Sequence, residues 1–197
     1  MSRVDITALL RKADPYRNEF VELDGELVPK SAVMLMSVLA TEIDPTVRFQ
    51  LYSLAVSECG LADKTAAAVK LAHAQYQDLQ DLVSLTVYSK ALAQNGEVDA
   101  GLARAEEALE LAIQEQTCVN FAAENLVWRA IDTGSTEAVN DALDALAHTA
   151  EVPRKGDCAF EADWVDAAEA LGADQEMVAW GRAVAARRPP VTRRGKP

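Results

Sequence analysis

The stretch LVSLTVYSKALAQNGEVDAGLARAEEALELAI, residues 82–113, decides the predicted fold. Apolar residues recur at helical spacing on both sides of Asn95-Gly96, a dipeptide that is typical of a tight turn. The first arm carries Leu82, Leu85, Tyr88 and Leu92, and the second carries Val98, Leu102, Ala105, Leu109 and Ala112. This period puts each set on one face of a helix. Such a helical pair buries its apolar faces only against neighbours, so we expect the rest of the chain to supply similar pairs.

Part of this stretch resembles the tetratricopeptide repeat. The residues that carry the resemblance are Gly96, Gly101, Ala105 and the run Ala108-Leu109-Glu110-Leu111. In that family a glycine ends the first helix, and small residues lie where the two helices cross. Leu85 stands where the family has a large aromatic residue, and Ile113 stands where it has its closing proline. The resemblance implies a helical repeat fold and a mode of polypeptide binding, and it implies no substrate.

The glycine spacing extends the pattern along the chain. Gly60, Gly96, Gly134 and Gly172 are separated by 36, 38 and 38 residues, and Gly25 lies 35 residues before Gly60. Each follows an apolar helical stretch, where a left-handed cap residue is favoured. Known helical repeats have similar periods, about 34 residues or somewhat more. We therefore predict an all-α fold, a short right-handed solenoid of about four antiparallel hairpins turning near residues 60, 96, 134 and 172. An irregular helical bundle is the alternative.

The predicted domain organisation is simple. One helical-repeat domain covers residues 1–187, with residues 1–43 as an N-terminal cap or partial repeat, and residues 188–197 form a basic flexible tail. Helices are expected at about 5–13, 29–41, 45–60, 62–75, 77–94 and 98–114, then from 117 and from 135, and finally at 158–171 and 174–187. Asp44, followed by Pro45, is predicted to cap the helix at 45–60, and Thr117 is predicted to cap the helix that follows it. Residues 150–157, AEVPRKGD, are the clearest loop.

Residues 15–28 fit two structures. The two-residue turn Asp24-Gly25 lies between two short apolar runs, which indicates a β-hairpin. A helix from about residue 15 to residue 24, ending at Gly25, would instead complete a further repeat. We favour the helix for that reason, and a lone hairpin is only marginally stable.

Composition places the chain among cytoplasmic globular proteins. Half of its 197 residues are apolar, and no apolar run approaches the roughly 18 residues that span a bilayer. The N-terminus has neither a long apolar core nor a cleavage site, so no signal peptide is expected. The three cysteines, Cys59, Cys118 and Cys158, are far apart and form no CxxC motif, so neither a disulfide framework nor a zinc site is expected.

The charge distribution is uneven. The formal net charge is −12, but six basic residues and no acidic residue follow Glu176. The first 176 residues therefore carry 13 basic and 31 acidic side chains. An acidic body should repel nucleic acids and anionic membranes, so we expect neither as a direct partner.

Motifs with catalytic chemistry are absent from the sequence. His73 and His148 lie on separate predicted helices without metal-ligand spacing, and carboxylate pairs such as Glu106-Glu107 fall on polar helix faces. No glycine-rich phosphate loop is present. We expect no catalytic residue, no metal and no cofactor. Cys158, which follows the predicted loop, is the best candidate for a reactive thiol.

A peptide-binding groove is the expected functional surface, because the first helix of each hairpin lines the concave face of such a solenoid. Alignment to the turn glycines predicts that the groove is lined by Gln50, Ser57, Thr86, Lys90, Glu124, Asn125, Trp128 and Asp166. Trp128 would anchor a ligand side chain, or would instead pack between hairpins. Lys90 and Asn125 are the residues that could correspond to the family's carboxylate clamp. The groove looks acidic, so we expect a basic or apolar polypeptide as ligand.

These observations lead to a first hypothesis and two alternatives. The first is a non-enzymatic protein–protein interaction module, which would act as a scaffold, chaperone or regulator. The second is an acidic inhibitor that mimics nucleic acid and blocks a DNA- or RNA-binding protein. An enzyme with an unrecognised site is the third. The sequence leaves open whether copies of the chain associate.

Overall fold

The computed structural model describes residues 5–41, 44–150 and 162–186. Within these ranges the chain forms ten α-helices and one two-stranded sheet, so the mostly helical fold is confirmed. Two compact units, Met1–Arg104 and Ala105–Pro197, make up the chain. We call them unit 1 and unit 2. The single domain and the solenoid of repeats stay predictions.

Unit 1 contains a β-hairpin, five helices and the start of a sixth. In chain order the elements are α1 (Ile6–Ala13), a 3-10 helix (Asp14–Tyr16), β1 (Phe20–Leu23), β2 (Glu26–Pro29), α2 (Lys30–Leu39), α3 (Pro45–Leu61), α4 (Thr65–Leu79), α5 (Leu82–Gln94) and the first residues of α6 (Val98–Glu115). Each helix from α1 to α4 packs against the next one along the chain. Their shared core includes Leu35, Leu51 and Ala55, which are fully buried.

Carboxylate caps fix where several of these helices begin. Asp44 accepts hydrogen bonds from the N–H groups of Thr46, at 2.9 Å, and Val47, at 3.3 Å, and Pro45 occupies the first turn of α3. The Asp44 cap agrees with the sequence prediction, because an aspartate followed by proline satisfies the exposed amides of a first turn. Asp81 caps α5 in the same way, accepting from the Ser84 N–H at 2.7 Å.

The helix predicted from about residue 15 to residue 24 is wrong, and the hairpin is the observed structure. β1 and β2 pair antiparallel, with Val21 opposite Val28. Asp24 and Gly25 both have positive φ, 50° and 79°, which is the backbone of the favoured two-residue hairpin turn. The hairpin is not isolated, because Val28 is buried in the core of unit 1. That burial provides the stability that a lone hairpin lacks.

The first predicted turn is also misplaced. Gly60 lies inside α3, which continues to Leu61, and the left-handed residue of the following turn is Asp63, with φ of 56°. The next helix extends past residue 75 to Leu79, and Gln80 ends it in the left-handed conformation. The other three turn glycines, Gly96, Gly134 and Gly172, all have positive φ. An aspartate and a glutamine therefore take conformations that the prediction reserved for glycine.

A buried carboxylate ties the N-terminal segment to α3. Glu58 accepts two hydrogen bonds from the Arg17 guanidinium, at 2.8 and 2.7 Å, and one from the Ser31 hydroxyl, at 2.8 Å. The hydrogen bonds from Arg17 hold the pKa of the Glu58 carboxyl below its ordinary value, against the opposing effect of burial. The ionised carboxylate is therefore the form that the folded protein prefers.

Unit 2 contains the rest of α6 and four further helices. They are α7 (Val119–Thr133), α8 (Thr136–Ala150), α9 (Val165–Ala170) and α10 (Gln175–Ala186). α7 packs against α8, and α10 contacts both α8 and α9. Trp164 is fully buried before α9. A Cβ atom on Gly181 of α10 would come within 2.6 Å of its ring, so this glycine lets α10 approach the indole closely.

Two predictions about unit 2 need correction. Thr117 does not cap α7, because the residue before that helix is Cys118, which has a left-handed backbone and makes no side-chain cap. The predicted helix at 158–171 is shorter where it is described, since α9 spans Val165–Ala170. Residues 151–157 of the predicted loop, Cys158 and the basic tail lie outside the described residues. Across the described ranges, no helix combines the length and apolar character needed to cross a membrane.

The sequence prediction of a close helix crossing at Gly101 has a direct counterpart in unit 1. A Cβ atom placed on Gly101 would lie 2.9 Å from the Ser89 carbonyl oxygen and 3.1 Å from the Ala93 nitrogen. Both atoms belong to the backbone of α5, so they have little freedom to move. A side chain at this position therefore requires the two helices to separate.

We predict that Gly101→Leu lowers the free energy of unfolding by about 1–3 kcal/mol, as overpacking of a close contact does. Urea denaturation followed by circular dichroism measures this change. Gly60→Leu is the matched control: Gly60 is also helical, but a Cβ atom there meets nothing within 4 Å. The control should be neutral or slightly stabilising, because leucine favours a helix more than glycine does. Equal effects of both substitutions would contradict the close crossing.

We predict that Glu58→Gln destabilises the protein by about 1.5–3 kcal/mol at neutral pH, the usual contribution of hydrogen bonds to a charged group. The folded pKa of Glu58 is lowered from about 4.5, so the stabilisation is complete above that value. It is lost as the pH falls through the folded pKa. The difference between wild type and variant should therefore narrow in acid. Glu19→Gln is the control, because its ion pair with Lys30 is exposed and should contribute less than about 1 kcal/mol.

Candidate functional site

An open groove lies between α3 and α5 in unit 1, and we call it the α3–α5 groove. Its volume is about 540 Å³. It is lined by Ser53, Val56, Ser57, Gly60, Leu61, Thr65, Val87, Lys90, Ala91 and Gln94. One face of α3, one face of α5 and the first residue of α4 thus form a cleft that is open to solvent.

The lining of this groove is apolar with a few polar groups. Leu61 is 67% exposed, an unusual degree of exposure for a large aliphatic side chain, and Val56 and Val87 continue the apolar surface. Lys90 is the one charged residue of the lining, and no described residue forms an ion pair with it. The groove therefore offers an apolar wall beside a single accessible cation.

Gly60 leaves an open space in the α3 wall. A Cβ atom placed there would find no atom within 4 Å, and its backbone is helical rather than left-handed. A large side chain at residue 60 could therefore occupy the groove without disturbing the helix. The sequence prediction treated Gly60 as a turn residue and so missed this role. The sequence prediction also missed Leu61 as a groove residue. The only sequence signal for its exposure is that this apolar residue lies directly before a polar turn.

The structure brings two of the predicted groove residues together in unit 1. Ser57 on α3 and Lys90 on α5 both line the α3–α5 groove. Gln50 is exposed on α3 but is not part of the lining. Thr86 is buried, and its hydroxyl donates to the Leu82 carbonyl at 3.0 Å, so its expected place on a groove surface is wrong. It lies on the core side of α5.

In unit 2 the predicted groove residues make intramolecular contacts. Glu124 is buried and accepts a hydrogen bond from the Ala162 N–H at 2.5 Å. The Trp128 indole N–H donates to the Asp163 carboxylate at 3.1 Å. Ala162 has a φ of 50°, a conformation that costs an alanine about 1 kcal/mol or more. Glu124 and Trp128 thus hold the strained segment before α9, and Glu124 is not exposed for pairing with a ligand.

The last two predicted groove residues lie in different surroundings. Asn125 is half-buried on α7. Asp166 is exposed on α9 and lies 3.5 Å from Arg182, which also binds Glu169 through both of its terminal nitrogens. Hydrogen bonds from Arg182 hold the pKa of the Glu169 carboxyl below its ordinary value. This cluster is a surface ion-pair network joining α9 to α10, and such networks contribute little to stability.

The described residues show little reactive chemistry. No group of three His, Cys, Asp or Glu side chains among them could hold a metal ion. Burial raises the pKa of the Cys59 thiol to about 12, so it is not a nucleophile at neutral pH. His73 stacks on the Tyr88 ring, with 5.0 Å between the ring centroids. Cys158, the predicted reactive thiol, lies outside the described residues.

We predict that Glu124→Lys destabilises the protein by about 1–3 kcal/mol or more, because it leaves the buried Ala162 N–H without an acceptor and buries a cation. Urea denaturation measures the loss. Asp166→Lys is the matched control, since it reverses the charge of an exposed carboxylate and should change stability by less than about 1 kcal/mol. An unchanged midpoint for Glu124→Lys would show that its carboxylate is not required by the segment before α9.

Comparisons with known proteins identify no family for this chain. No protein-family model, no curated protein and no solved structure gives a significant match. A function therefore has to be inferred from the contacts, shapes and charges of the chain itself.

Proposed function

We propose that this protein is a non-enzymatic protein–protein interaction module, a scaffold, chaperone or regulator of the kind that a tetratricopeptide-like fold would provide. Its ligand is an apolar segment of a partner polypeptide, which binds in the α3–α5 groove. The observation that carries this proposal is the juxtaposition of the exposed Leu61 side chain with open space at Gly60. Together they form an apolar cleft on the surface of a helical unit.

The groove lining favours polypeptide binding over catalysis. Its hydroxyl groups belong to Ser53, Ser57 and Thr65, and among the residues that the structure describes no carboxylate, imidazole or thiol lines the groove beside them. A serine or threonine needs an adjacent base to act as a nucleophile. The lining instead offers apolar contact and hydrogen-bonding groups, which are the usual components of a peptide-binding groove.

Lys90 refines the expected ligand. A basic or apolar ligand was predicted for an acidic groove, but the described lining of this groove has one cation and no carboxylate. A segment with a carboxylate beside its apolar side chains would therefore fit better than a basic one. The ion pair would mainly affect selectivity and the association rate, because Lys90 is exposed.

A second candidate function is supported by the charge of unit 2. Its described residues include 14 acidic side chains and only two arginines, Arg129 and Arg182. Arg129 is buried beside Asp132, with 2.7 Å between the guanidinium Nε and the carboxylate. Burial lowers the pKa of the Arg129 guanidinium. Because Arg129 is buried, its charge does not offset the acidic side chains on the surface. An acidic surface of this kind is compatible with an inhibitor that mimics nucleic acid.

The groove proposal is tested by filling the groove from residue 60. Peptides selected from a displayed library on the wild-type protein are measured by fluorescence anisotropy against Gly60→Trp and Gly60→Ala. The indole should weaken binding about tenfold or more by occupying the cleft, whereas the alanine should not. Lys90→Glu should weaken peptides that carry a carboxylate and leave neutral peptides nearly unchanged. Equal binding to all these variants would place the ligand elsewhere.

Salt dependence separates the two candidate functions. Binding of a DNA-binding protein to an acidic mimic should weaken steeply as salt screens the carboxylates. Binding of an apolar segment in the α3–α5 groove should respond only weakly. Reversing the exposed row on α8, Glu137, Asp141 and Asp144, to lysine should abolish the first interaction and leave the second intact.

A further inference from the structure

The β-hairpin of unit 1 has an open edge. Lys30 donates its backbone N–H to the Glu19 carbonyl at 2.7 Å, next to the pair Phe20–Pro29. Glu19 and Lys30 are therefore a hydrogen-bonded pair. Hydrogen-bonded and non-hydrogen-bonded pairs alternate along an antiparallel ladder, so the next hydrogen-bonded pairs are Val21–Val28 and Leu23–Glu26. The backbone N–H and C=O groups of Phe20 and Glu22 therefore point away from β2.

No described residue pairs with these outward groups. The backbone hydrogen bonds outside the regular elements include none from Phe20 or Glu22. Both residues are exposed, and Val21 between them is half-buried. A row of unpaired backbone groups on an exposed strand is a template for one further strand.

Exposed apolar side chains flank the edge, together with the Glu22 carboxylate. Phe20, Leu23 and Leu27 are 41%, 47% and 51% exposed, so three of the large apolar residues on the described surface belong to this one hairpin. The Lys64 ammonium lies 5.0 Å from the centre of the Phe20 ring and covers part of it. No described residue forms an ion pair with the Glu22 carboxylate, which lies on the same face of β1 as Phe20.

We propose that β1 is a docking site for an extended strand of a partner polypeptide. The strand adds to the open edge through the backbone of Phe20 and Glu22. It has a lysine or arginine opposite Glu22 and an apolar residue opposite Phe20. The residues of this surface differ from those that line the α3–α5 groove. Main-chain hydrogen bonds provide the affinity of this pairing, and the side chains opposite Phe20 and Glu22 provide its specificity.

Charge complementarity selects this occupant over a second copy of the chain. Two copies paired through β1 would bring their Glu19 and Glu22 side chains into one small sheet, and each chain has a net charge of −12. Glu19 is paired with Lys30, but Glu22 would stay without a cation. Like charges brought together across a sheet are destabilising. A basic, apolar strand instead supplies the missing charge.

The test uses a short fluorescein-labelled peptide with alternating valine and threonine residues and a central lysine. Binding to the full chain is measured by anisotropy, and amide hydrogen exchange is measured at Phe20 and Glu22. We expect both amides to become protected. N-methylation of alternate peptide amides should weaken binding about tenfold, because it removes backbone hydrogen bonds. A central glutamate in place of the lysine should weaken it about two- to fivefold.

Two substitutions locate the site on the protein. Glu22→Pro removes an outward N–H without breaking a β1–β2 hydrogen bond, since edge strands accept proline where the N–H faces solvent. It should weaken the lysine peptide about tenfold while circular dichroism stays unchanged. Glu22→Gln keeps the N–H and removes only the charge, so it should weaken binding of the lysine peptide by no more than the glutamate exchange does, about two- to fivefold.

Three results would overturn the proposal. The first is equal affinity for the N-methylated and unmodified peptides. The second is peptide binding that leaves the Phe20 and Glu22 amides unprotected. The third is concentration-dependent protection of those amides without peptide, which would assign the edge to a second copy of the chain. If the Glu22→Pro variant unfolds, the comparison of the N-methylated peptide with the unmodified peptide on the wild-type protein still tests the proposal.

Discussion

One buried carboxylate organises unit 1. Glu58 lies on α3 away from solvent, where an ionised group is tolerated only with strong hydrogen-bond donors around it. Arg17 and Ser31 supply those donors, and they lie on either side of the β-hairpin in the sequence. The chain from the 3-10 helix to the first turn of α2 is thus fastened to α3 at both ends. The hairpin edge and the α3 wall of the groove both depend on this contact, because it fixes the elements that carry them.

Sequence patterns predicted the features whose causes are local. Asp44-Pro45 and Asn95-Gly96 mark a helix start and a turn because cap and turn chemistry acts over a few residues. The hairpin was also visible in Asp24-Gly25, but its stability depends on the burial of Val28 by helices distant in sequence. Asp63 left no signal, because an aspartate in the left-handed conformation looks like any other polar residue before a helix.

The candidate site was less predictable for the same reason. Alignment to glycines assumed that Gly60 ends a helix, and its position inside α3 removes that reference point. Thr86 and Glu124 then turned out to be buried, since burial depends on which neighbouring element covers a helix face. Ser57 and Lys90 do line a common groove, because both lie on helix faces that no other described element covers. Trp128 was expected to anchor a ligand side chain or to pack between hairpins. In the structure its indole N–H donates to Asp163 of the same chain.

The burial of Cys59 makes its thiol an intrinsic probe of the opening of unit 1. Its thiol follows Glu58 on α3, has no exposed surface and has a pKa raised to about 12. An alkylating reagent reacts with thiolate in contact with solvent, so it reaches this sulfur only when the core around α3 opens. When unit 1 closes faster than the reagent reacts, the alkylation rate at Cys59, resolved from Cys118 and Cys158 by peptide mass, therefore reports the free energy of opening under native conditions. The chain thus carries, without any added label, a measure of the stability of the unit on which both proposed binding surfaces lie.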